Sequence, residues 1–383
     1  MPSSKINFFD LDLQYNKYQK DINQSITKCL NKGQFILGSE LKKFEKKIAT
    51  LSSTKYAVGT SSGTDSLLIS LLSVGVKRGD EIITSSFSWL SVVETILLLG
   101  AKPIYVDIKL NDFNLDYEDL KSKINKKTKA IITTSLFGYP CELEEISKLV
   151  KNKNITLIED SAQSFGAKIK NMPLSSYADI TSYSFFPSKI VGAYGDAGGL
   201  ATNDLQIYKK IIAIRNHGQK KYGVSNKLIG LNGRLDEIQA AILNVKLTLY
   251  KKEIISRNKV AAEYKKILSS KNIYGYTIIE KNKTHVYGQF SILVKNRKIF
   301  QEFFKKNKIP TKIFYPQPLY NQYKQKLLLK LPNTEFCCKH IVSIPINIYS
   351  KKRFEKVYNC LKDLVKKNEK INPGLLRNLH SLQ

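Results

Sequence analysis

The pattern of hydrophobic and polar positions divides the chain into two parts. Between residues 55 and 201, short apolar runs alternate with stretches of helical periodicity. Five of these runs are nearly continuous and are therefore typical of strands buried on both faces of a sheet: "KYAVGT", "DEIIT", "KPIYVD", "KAIITTS" and "ITLIED". In "GTDSLLISLLSVG" the leucines recur at helical spacing, and Gly75 ends the predicted helix. The alternation predicts an α/β fold with a mostly parallel central sheet.

The second part of the chain has a different pattern. The segment "NGRLDEIQAAILNVKLTLYKKEIISRNKVAAEYKKIL" predicts one long helix that bridges into a second domain. The later runs "YGQFSILVKN", "RKIFQEFFKKNKI" and "HIVSIPI" indicate a smaller α+β unit. We therefore expect a large domain over residues 1–245, whose N-terminal segment can pack on the second domain. A small domain over residues 246–383 would end in a loosely held tail.

Length and charge limit the possible classes of function but do not identify one. The chain has 383 residues and 42% hydrophobic content, enough for the cores of two domains. Its net charge of +30 comes from 62 Lys and Arg against 32 Asp and Glu, and only seven of the basic residues are arginine. Arginine is the residue that recognises phosphates and bases bidentately, so evenly spread lysines indicate a coding bias rather than a nucleic-acid interface. The positive electrostatic field of the protein is more simply explained as attracting small anionic molecules.

Cysteine usage and hydropathy predict the compartment. The five cysteines are odd in number and form no C-x-x-C pair, which favours a reducing compartment over a disulfide framework or a zinc site. The N-terminus has no apolar signal region, and no apolar run approaches the roughly 20 residues of a membrane helix. We expect a cytoplasmic protein without a membrane segment or a metal site.

Polar residues follow the predicted strands at the edge where parallel sheets bind ligands. In "ITLIEDSAQSFGA", Glu159, Asp160 and Gln163 follow an apolar strand, and a carboxylate there can hold a protonated nitrogen. The alternative is that Asp160 merely caps a following helix. In "GTSSGTDSLL", Gly63 and Thr64 begin a helix whose free N–H groups suit a phosphate, although an ordinary capped turn has the same appearance.

Three further residues carry candidate chemistry. Lys189 lies in the glycine-rich segment "SYSFFPSKIVGAYGDAGG", just after a run ending near Phe186 that can complete a strand. Apolar surroundings would lower the pKa of this lysine and make it an imine-forming nucleophile. Trp89 is the only tryptophan and can stack on a planar ring or simply pack in the core. His217 is the one histidine in a polar, glycine-containing setting, and the four histidines have no metal-binding spacing.

These signals are individually weak but complementary. A phosphate-binding turn, a stacking aromatic ring, an acid and an imine-forming lysine match the phosphate, the ring, the pyridine nitrogen and the aldehyde of pyridoxal phosphate. The combination predicts a site for that cofactor.

The chain also resembles the sugar aminotransferases of the DegT type, which have the aspartate-aminotransferase fold, also called fold type I. The likeness covers nearly the whole chain and is most specific in "EDSAQSFGA", "SFFPSKIVGAYGDAGG" and "GLNGRLDEIQAAIL". Further matching segments are "FFDLDLQYNKY", "GQFILGSELKKFEKKIA", "SGTDSL", "FYPQPLY" and "VSIPI". The resemblance implies a mostly parallel sheet in a large domain and a smaller C-terminal domain.

The resemblance also implies roles for individual positions. Lys189 matches the lysine that bonds to pyridoxal 5'-phosphate and later moves the proton, Asp160 the acid at the pyridine nitrogen, and Gln163 the residue near the ring hydroxyl. Trp89 matches the aromatic position stacked on the ring. The matching phosphate contacts are Gly63, Thr64, Ser184 and, from the neighbouring subunit of a homodimer, Asn232. The positions expected near the substrate are Arg234, Tyr315 and His217.

Several departures from the family pattern bear on the chemistry. Relatives that dehydrate sugars carry histidine at the position of Lys189, so this chain is expected to transaminate. Ile190 and Ala197 replace residues common in the family, which we interpret as packing variation. Phe314 stands before Tyr315 where many members have histidine, and this leaves the sugar specificity open. The "GAYGD" sequence is more like enzymes that act at C-3 than at C-4.

The implied function is transfer of an amino group from L-glutamate to a dTDP- or UDP-linked keto-sugar at C-3 or C-4, giving an amino sugar for surface glycans such as O-antigen. Two alternatives remain. One is a pyridoxal-phosphate-binding regulatory or sensor protein of the same fold without turnover. The other is a basic nucleic-acid binder with an unrelated α/β fold, which the lysine distribution already disfavours.

Overall fold

A computed structural model describes residues 6–221, 223–225, 228–268, 281–323 and 330–371 of the chain. Most of the tail that we expected to be loosely held lies outside these residues. The α-helices of the described part are α1 Leu11–Lys32, α2 Ser39–Leu51, α3 Gly63–Ser73, α4 Ser91–Leu98, α5 Tyr117–Lys123, α6 Leu143–Val150, α7 Leu205–Arg215, α8 Glu237–Lys246, α9 Tyr250–Leu268, α10 Arg297–Lys306, α11 Leu319–Gln322, α12 Pro332–His340 and α13 Lys351–Ile371. None of these helices combines the length and the apolar character that crossing a bilayer requires.

The strands of the described residues form one large sheet and three small ones. They are β1 Tyr56–Thr60, β2 Glu81–Ser85, β3 Lys102–Val106, β4 Thr128–Thr134, β5 Thr156–Asp160, β6 Lys168–Ile169, β7 Met172–Pro173, β8 Ile180–Ser184, β9 Gly198–Thr202, β10 Gln219–Lys221, β11 Val224–Ser225, β12 Lys283–Thr284, β13 Phe290–Leu293 and β14 Ile341–Ile344. The large sheet has the order β1-β9-β8-β5-β4-β2-β3. The five strands predicted from apolar runs all occur, as β1 to β5.

The large sheet is mostly parallel, as predicted. Strands β3, β2, β4, β5 and β8 are parallel neighbours, whereas β9 runs antiparallel to both β8 and β1. The register aligns Asp160 with Thr134 of β4 and with Ser182 of β8. The carboxyl ends of three parallel strands therefore meet around Asp160.

The apolar strands are covered on both faces. Ile83, Ile131 and Leu157 belong to a core cluster on one face of the sheet. Ile132 and Ile158 belong to a different cluster on the other face. Because successive side chains of a strand point to opposite faces, a strand that serves two cores must be apolar at nearly every position. This explains why the sequence shows continuous apolar runs rather than an alternation of apolar and polar residues.

Two predicted elements differ from the structure. The long helix expected across residues 232–268 is wrong, because a turn separates α8 from α9. In this turn the N–H groups of Thr248 and Leu249 bond to carbonyls three residues back, and the Thr248 hydroxyl also bonds to the Val245 carbonyl. The helical hydrogen-bond ladder is interrupted there. Strand β8 also ends at Ser184, before the position near Phe186 that the apolar pattern indicated.

The C-terminal part of the chain has its own core. Strands β13 and β14 form an antiparallel pair that packs with α9, α10 and α13 in a separate apolar cluster. Ile6, near the N-terminus, also lies in this cluster. The division of the chain at residue 245 stays a prediction.

Candidate active site

The loop that carries Lys189 is closed by backbone hydrogen bonds at its base. The N–H of Phe185 donates to the Ala197 carbonyl at 2.8 Å, and the N–H of Ala193 donates to the Phe185 carbonyl at 2.7 Å. The N–H of Lys189 donates to the Phe186 carbonyl at 2.9 Å, which makes a tight turn. At Gly192 a Cβ atom would lie 2.3 Å from the carbonyl oxygen of Pro187, so this turn requires glycine. The loop therefore holds Lys189 just beyond the end of β8.

Asp160 lies at the carboxyl end of β5, facing the charge of Lys189. Its side chain is buried and its Oδ1 accepts a hydrogen bond of 3.0 Å from the N–H of Ala162. Burial raises the pKa of Asp160 to about 6, and the same bond and the positive charge of Lys189 partly oppose this shift. No α-helix begins directly after Asp160, because residues 162–166 form turns before β6, so the interpretation as a helix cap is wrong.

Lys189 is influenced by the same surroundings. Burial lowers the pKa of Lys189, and the negative charge of Asp160 opposes that change. A lysine with a lowered pKa has a larger fraction of neutral amine at physiological pH, which is the nucleophilic form. The two residues thus form an electrostatically coupled pair.

The turn before α3 offers amide groups to an anion. The Ser62 hydroxyl caps the helix by accepting from the N–H of Asp65 at 3.0 Å. The N–H groups of Gly63 and Thr64 have no acceptor within the described residues. The turn is therefore a capped helix start that also leaves two amide groups available to an anion, so the two interpretations of the sequence are compatible.

Ser184 borders this turn. A Cβ atom on Gly63 would lie 2.7 Å from the Cβ of Ser184, so the helix start can approach β8 this closely only with glycine. Ser184 Oγ accepts a long hydrogen bond of 3.4 Å from the N–H of Phe186. Three of the predicted phosphate contacts, Gly63, Thr64 and Ser184, therefore lie together.

Gln163 links three distant segments. Its Oε1 accepts from the N–H of Phe137 at 2.8 Å, and its Nε2 donates to the Tyr315 hydroxyl at 3.0 Å. Burial raises the pKa of Tyr315, so the hydroxyl stays neutral at physiological pH. The Tyr315 ring also lies 6.0 Å from the ring of Trp89, at an angle of 46°. Trp89 itself is 53% exposed, so the interpretation of this tryptophan as a core residue is wrong.

The remaining predicted residues form a second group. The Arg234 guanidinium donates to Asn216 Oδ1 at 2.6 Å, and Asn216 forms a backbone bridge with Asn232. Asn232 and His217 are exposed, and His217 has a left-handed φ of 59°. This group adjoins the turn before α3, because the N–H of Ser61 donates to the Gly233 carbonyl at 3.0 Å. No contact in the described residues joins its side chains to Lys189 or Asp160.

Glu159 faces away from Asp160, contrary to its grouping in the sequence. Its carboxylate accepts from Thr133 Oγ1 at 2.5 Å and from the N–H of Ser135 at 3.2 Å. Complete burial raises the pKa of Glu159 to about 7. Strand alternation is the signal that separates the two acids, since adjacent residues of β5 point to opposite faces.

Pyridoxal phosphate fits the residues present. Among the described residues, the buried carboxyl of Asp160 accepts one hydrogen bond, which leaves its other oxygen able to accept from a protonated nitrogen. The amides of Gly63 and Thr64 suit a phosphate, and the exposed face of Trp89 suits a planar ring. Within the described residues, no cluster of His, Cys, Asp or Glu is arranged to hold a metal ion.

Comparison with known proteins decides the family. Residues 16–362 match the DegT/DnrJ/EryC1/StrS aminotransferase family. The chain belongs to this family. A UDP-2-acetamido-2-deoxy-3-oxo-D-glucuronate aminotransferase from Pseudomonas aeruginosa is 39% identical over 348 residues, covering 90% of this chain and 96% of the relative. A protein from Geobacillus stearothermophilus named a pleiotropic regulatory protein is 35% identical over 353 residues, covering 89% and 93% of the two chains.

Solved structures agree with this aminotransferase assignment. The crystal structure of NtdA from Bacillus subtilis with the bound cofactor PMP has a TM-score of 0.87 and 27% identity, covering 96% of this chain and 86% of that chain. The expected family and fold are confirmed, and the expected cofactor agrees with the one in NtdA. A nucleic-acid binder of unrelated fold is excluded by the family match.

Proposed function

We propose that this aminotransferase uses pyridoxal 5'-phosphate to move an amino group from L-glutamate to a nucleotide-linked keto-sugar. The observation that carries the proposal is the coupled pair of Lys189 and Asp160 at the carboxyl edge of the sheet. Burial lowers the pKa of the amine and raises the pKa of the acid, and each charge opposes the shift of the other. Neighbouring ionisable groups whose pKa values are shifted in opposite directions are typical of active sites.

The residues around this pair would hold the cofactor. The amides of Gly63 and Thr64, with the Ser184 hydroxyl, would bind its phosphate, and Asp160 would bind its pyridine nitrogen. Gln163 would lie near the ring hydroxyl and Trp89 against the ring. When bound, pyridoxal phosphate supplies an aldehyde that captures amines and a ring that withdraws electrons from the carbon beside them.

Lys189 would both anchor the cofactor and move protons. Its Nζ has a lowered pKa and lies at the end of a flexible side chain. It can therefore accept the proton from the α-carbon of glutamate. Asp160 would stay ionised while it holds a positive nitrogen, because an adjacent positive charge lowers a carboxyl pKa. The same two residues would serve both halves of the transfer.

Substrate binding would involve Arg234 and His217 of the second group, together with Tyr315. Arg234 presents a guanidinium suited to the carboxylate of glutamate, while Tyr315 and His217 would lie near the sugar. The relative from P. aeruginosa is named for a UDP-linked 3-oxo sugar. A UDP-linked 3-keto sugar is therefore the first substrate to test, followed by dTDP-linked and 4-keto sugars. The amino sugar product would serve a surface glycan such as O-antigen, made in the cytoplasm.

We also propose a homodimer with shared active sites. Phe186, three residues before Lys189, is 50% exposed, and Phe35 and Ile36 are 46% and 45% exposed. Large apolar side chains that are exposed to solvent are typical of surfaces covered by a partner. Asn232 is exposed and has no side-chain partner in the described residues, which suits a residue that reaches the phosphate in the second subunit.

The decisive experiment replaces Lys189 by alanine. We expect production of 2-oxoglutarate from glutamate and a UDP-linked 3-keto sugar to fall by about 10²–10⁴-fold or more, because the variant lacks its proton-transfer group. Mass spectrometry of the sugar should show the corresponding loss of amine formation. Lys209→Ala, which changes an exposed lysine of α7, is the control. Full multiple turnover by Lys189→Ala would refute the proposed mechanism.

The second candidate function is a pyridoxal-phosphate-binding regulatory protein. The naming of the G. stearothermophilus relative favours keeping it under test. Turnover separates the two candidates, since a regulator would at most convert one equivalent of glutamate per bound cofactor. Many equivalents of 2-oxoglutarate, formed only when the keto-sugar is present, would support the aminotransferase.

A further inference from the structure

The backbone of Tyr194, in the same loop as Lys189, is held by a side chain of α8. Gln239 Oε1 accepts from the N–H of Tyr194 at 2.9 Å, and Gln239 Nε2 donates to the Tyr194 carbonyl at 3.4 Å. One amide thereby satisfies both polar groups of this residue, as a neighbouring strand would. A Cβ atom on Gly195 would lie 3.1 Å from Gln239 Nε2, so the next residue also permits the close approach.

The ring of Tyr194 is held from the same helix. Lys246 lies two turns after Gln239 on α8, and its Nζ lies 4.3 Å from the centre of the Tyr194 ring. Lys246 is 4% exposed, so this cation–π contact is shielded from water. The ring of Tyr15 from α1 meets the Tyr194 ring edge-on, with 5.9 Å between the ring centres.

A polar network keeps the Lys246 ammonium in place. Lys246 Nζ donates to Gln14 Oε1 at 2.7 Å, and Gln14 Nε2 donates to Glu253 Oε1 at 2.8 Å. Burial lowers the pKa of Lys246 to about 8, and the negative charge of Glu253 opposes that change. Gln14 is thus oriented by Glu253 so that its carbonyl oxygen faces the ammonium group.

We propose that Gln239 and Lys246 are positioning residues, which hold Tyr194 and thereby fix the loop in the conformation that presents Lys189 toward Asp160. The inference rests on the proposed function, in which Lys189 captures the cofactor. The loop contains Gly192 and Gly195 and is otherwise closed mainly at its base, between Phe185 and Ala197. Without the contacts to Tyr194, the glycines would let the loop sample conformations in which Lys189 points elsewhere.

The test measures capture of pyridoxal phosphate by the cofactor-free protein. The rate is followed by absorbance, and borohydride reduction with peptide mapping verifies attachment to Lys189. Lys246→Met keeps the length of the side chain but removes its charge, and we expect capture to slow by about 3- to 30-fold, the range of a shielded cation–π contact. Lys246→Arg keeps a cation over the ring and should restore most of the rate.

A double-mutant cycle separates positioning from a general effect on the fold. Tyr194→Leu removes the aromatic ring, so Lys246→Met should slow capture no further when combined with it. Equal effects of Lys246→Met in both backgrounds would overturn the role assigned to the contact. Lys251→Met, at an exposed position of α9, is the matched control and should leave the rate unchanged.

Thermal unfolding of each variant identifies those that keep the native fold. If Lys246→Met fails to fold, Gln239→Met provides the test, since it removes both hydrogen bonds to Tyr194 and should also slow capture. If folded Lys246→Met or folded Gln239→Met captures the cofactor at the wild-type rate, the inference is overturned. Failure of the proposed function looks different, because wild-type protein would then carry no reducible cofactor at Lys189.

Discussion

Asp160 combines a buried carboxyl group with a single hydrogen-bond donor among the described residues. The pKa of this group rises from 3.8 in an unfolded chain to about 6 in the folded protein because burial disfavours its charge. Between these pH values the folded protein binds more protons than the unfolded chain. The contribution of this carboxyl to stability therefore falls as the pH rises from about 4 to about 6, and remains lower above that range.

At this residue we predict a trade between stability and activity. Asp160→Asn retains an oxygen that accepts from the N–H of Ala162 but has no charge to bury. In cofactor-free protein the variant should be more stable than wild type at pH 8 by on the order of 1–3 kcal/mol, with a smaller difference near pH 4. Transamination should be lost, because the amide cannot hold a protonated pyridine nitrogen as an acid does.

Urea unfolding of both proteins at the two pH values measures this difference. Asp204→Asn is unsuitable as a control because Asp204 caps α7. Asp363→Asn changes an exposed acid of α13 and, as the control, should change stability by less than about 0.5 kcal/mol. A variant at Asp160 that is less stable than wild type at pH 8 would show that burial does not dominate the energetics of this carboxyl.

At the scale of elements, the site depends on how closely α3 approaches β8. Gly63 begins α3, and the absence of its Cβ lets the helix start lie against Ser184 at the end of β8. The turn thereby brings the free amides of Gly63 and Thr64 beside the Ser184 hydroxyl. A steric condition between two elements thus creates the predicted phosphate site.

We predict that Gly63→Ala damages both stability and cofactor binding. The added Cβ would lie 2.7 Å from the Cβ of Ser184, so the elements must separate. Overpacking of this kind costs about 1–3 kcal/mol, measurable by urea unfolding of the cofactor-free protein. Affinity for pyridoxal phosphate, measured by equilibrium titration, should fall by about 2- to 12-fold if half of that energy is lost from the bound geometry.

The double variant Gly63→Ala, Ser184→Gly is the internal control. It removes the Ser184 Cβ and Oγ and leaves only the Cα, 3.2 Å from the new methyl group, so most of the stability should recover. Affinity should stay reduced because the Ser184 hydroxyl is also absent. If Gly63→Ala binds the cofactor normally, the start of α3 is not the phosphate site.

At the scale of the whole molecule, an ion pair joins the two ends of the described chain. The Arg353 guanidinium on α13 donates to Asp10 at 2.6 Å, and both side chains are buried. It also bonds to Asp12 on α1 at 3.0 Å. The segment before α1 therefore packs beside the C-terminal core, where Ile6 also lies.

Removal of one partner of this buried ion pair should strongly destabilise the folded protein. We predict that Arg353→Met lowers the free energy of unfolding by about 3–5 kcal/mol, because Asp10 would be left buried without its cation. Arg353→Met combined with Asp10→Asn should recover part of this loss. Lys351→Met disrupts only the exposed pair with Glu355 and should change stability by less than about 1 kcal/mol. If the single and double variants are equally stable in urea, the buried charge is not the cause.

Local sequence patterns predicted the secondary-structure elements well where the burial of neighbouring residues determines them. The apolar runs correctly indicated β1 to β5, because a strand between two cores must be apolar throughout. The break between α8 and α9 was missed, since the residues of the turn are common inside helices and only their hydrogen bonds reveal it. The early end of β8 was missed because Phe185 and Phe186 have high strand propensity, although the backbone of Phe185 closes the lysine loop.

For the site, the sequence alone determined which residue types were available and that they follow strands or begin helices. It indicated Lys189, Asp160 and the turn at Gly63, because parallel strands place their carboxyl ends at one edge. Only the tertiary structure decided that Glu159 faces away from Asp160, that Gln163 bonds to Tyr315, and that Gln239 and Lys246 contact Tyr194 of the lysine loop. These contacts join residues far apart in the chain. Local periodicity carries no information about such pairings, because the packing of helices and strands against one another sets them.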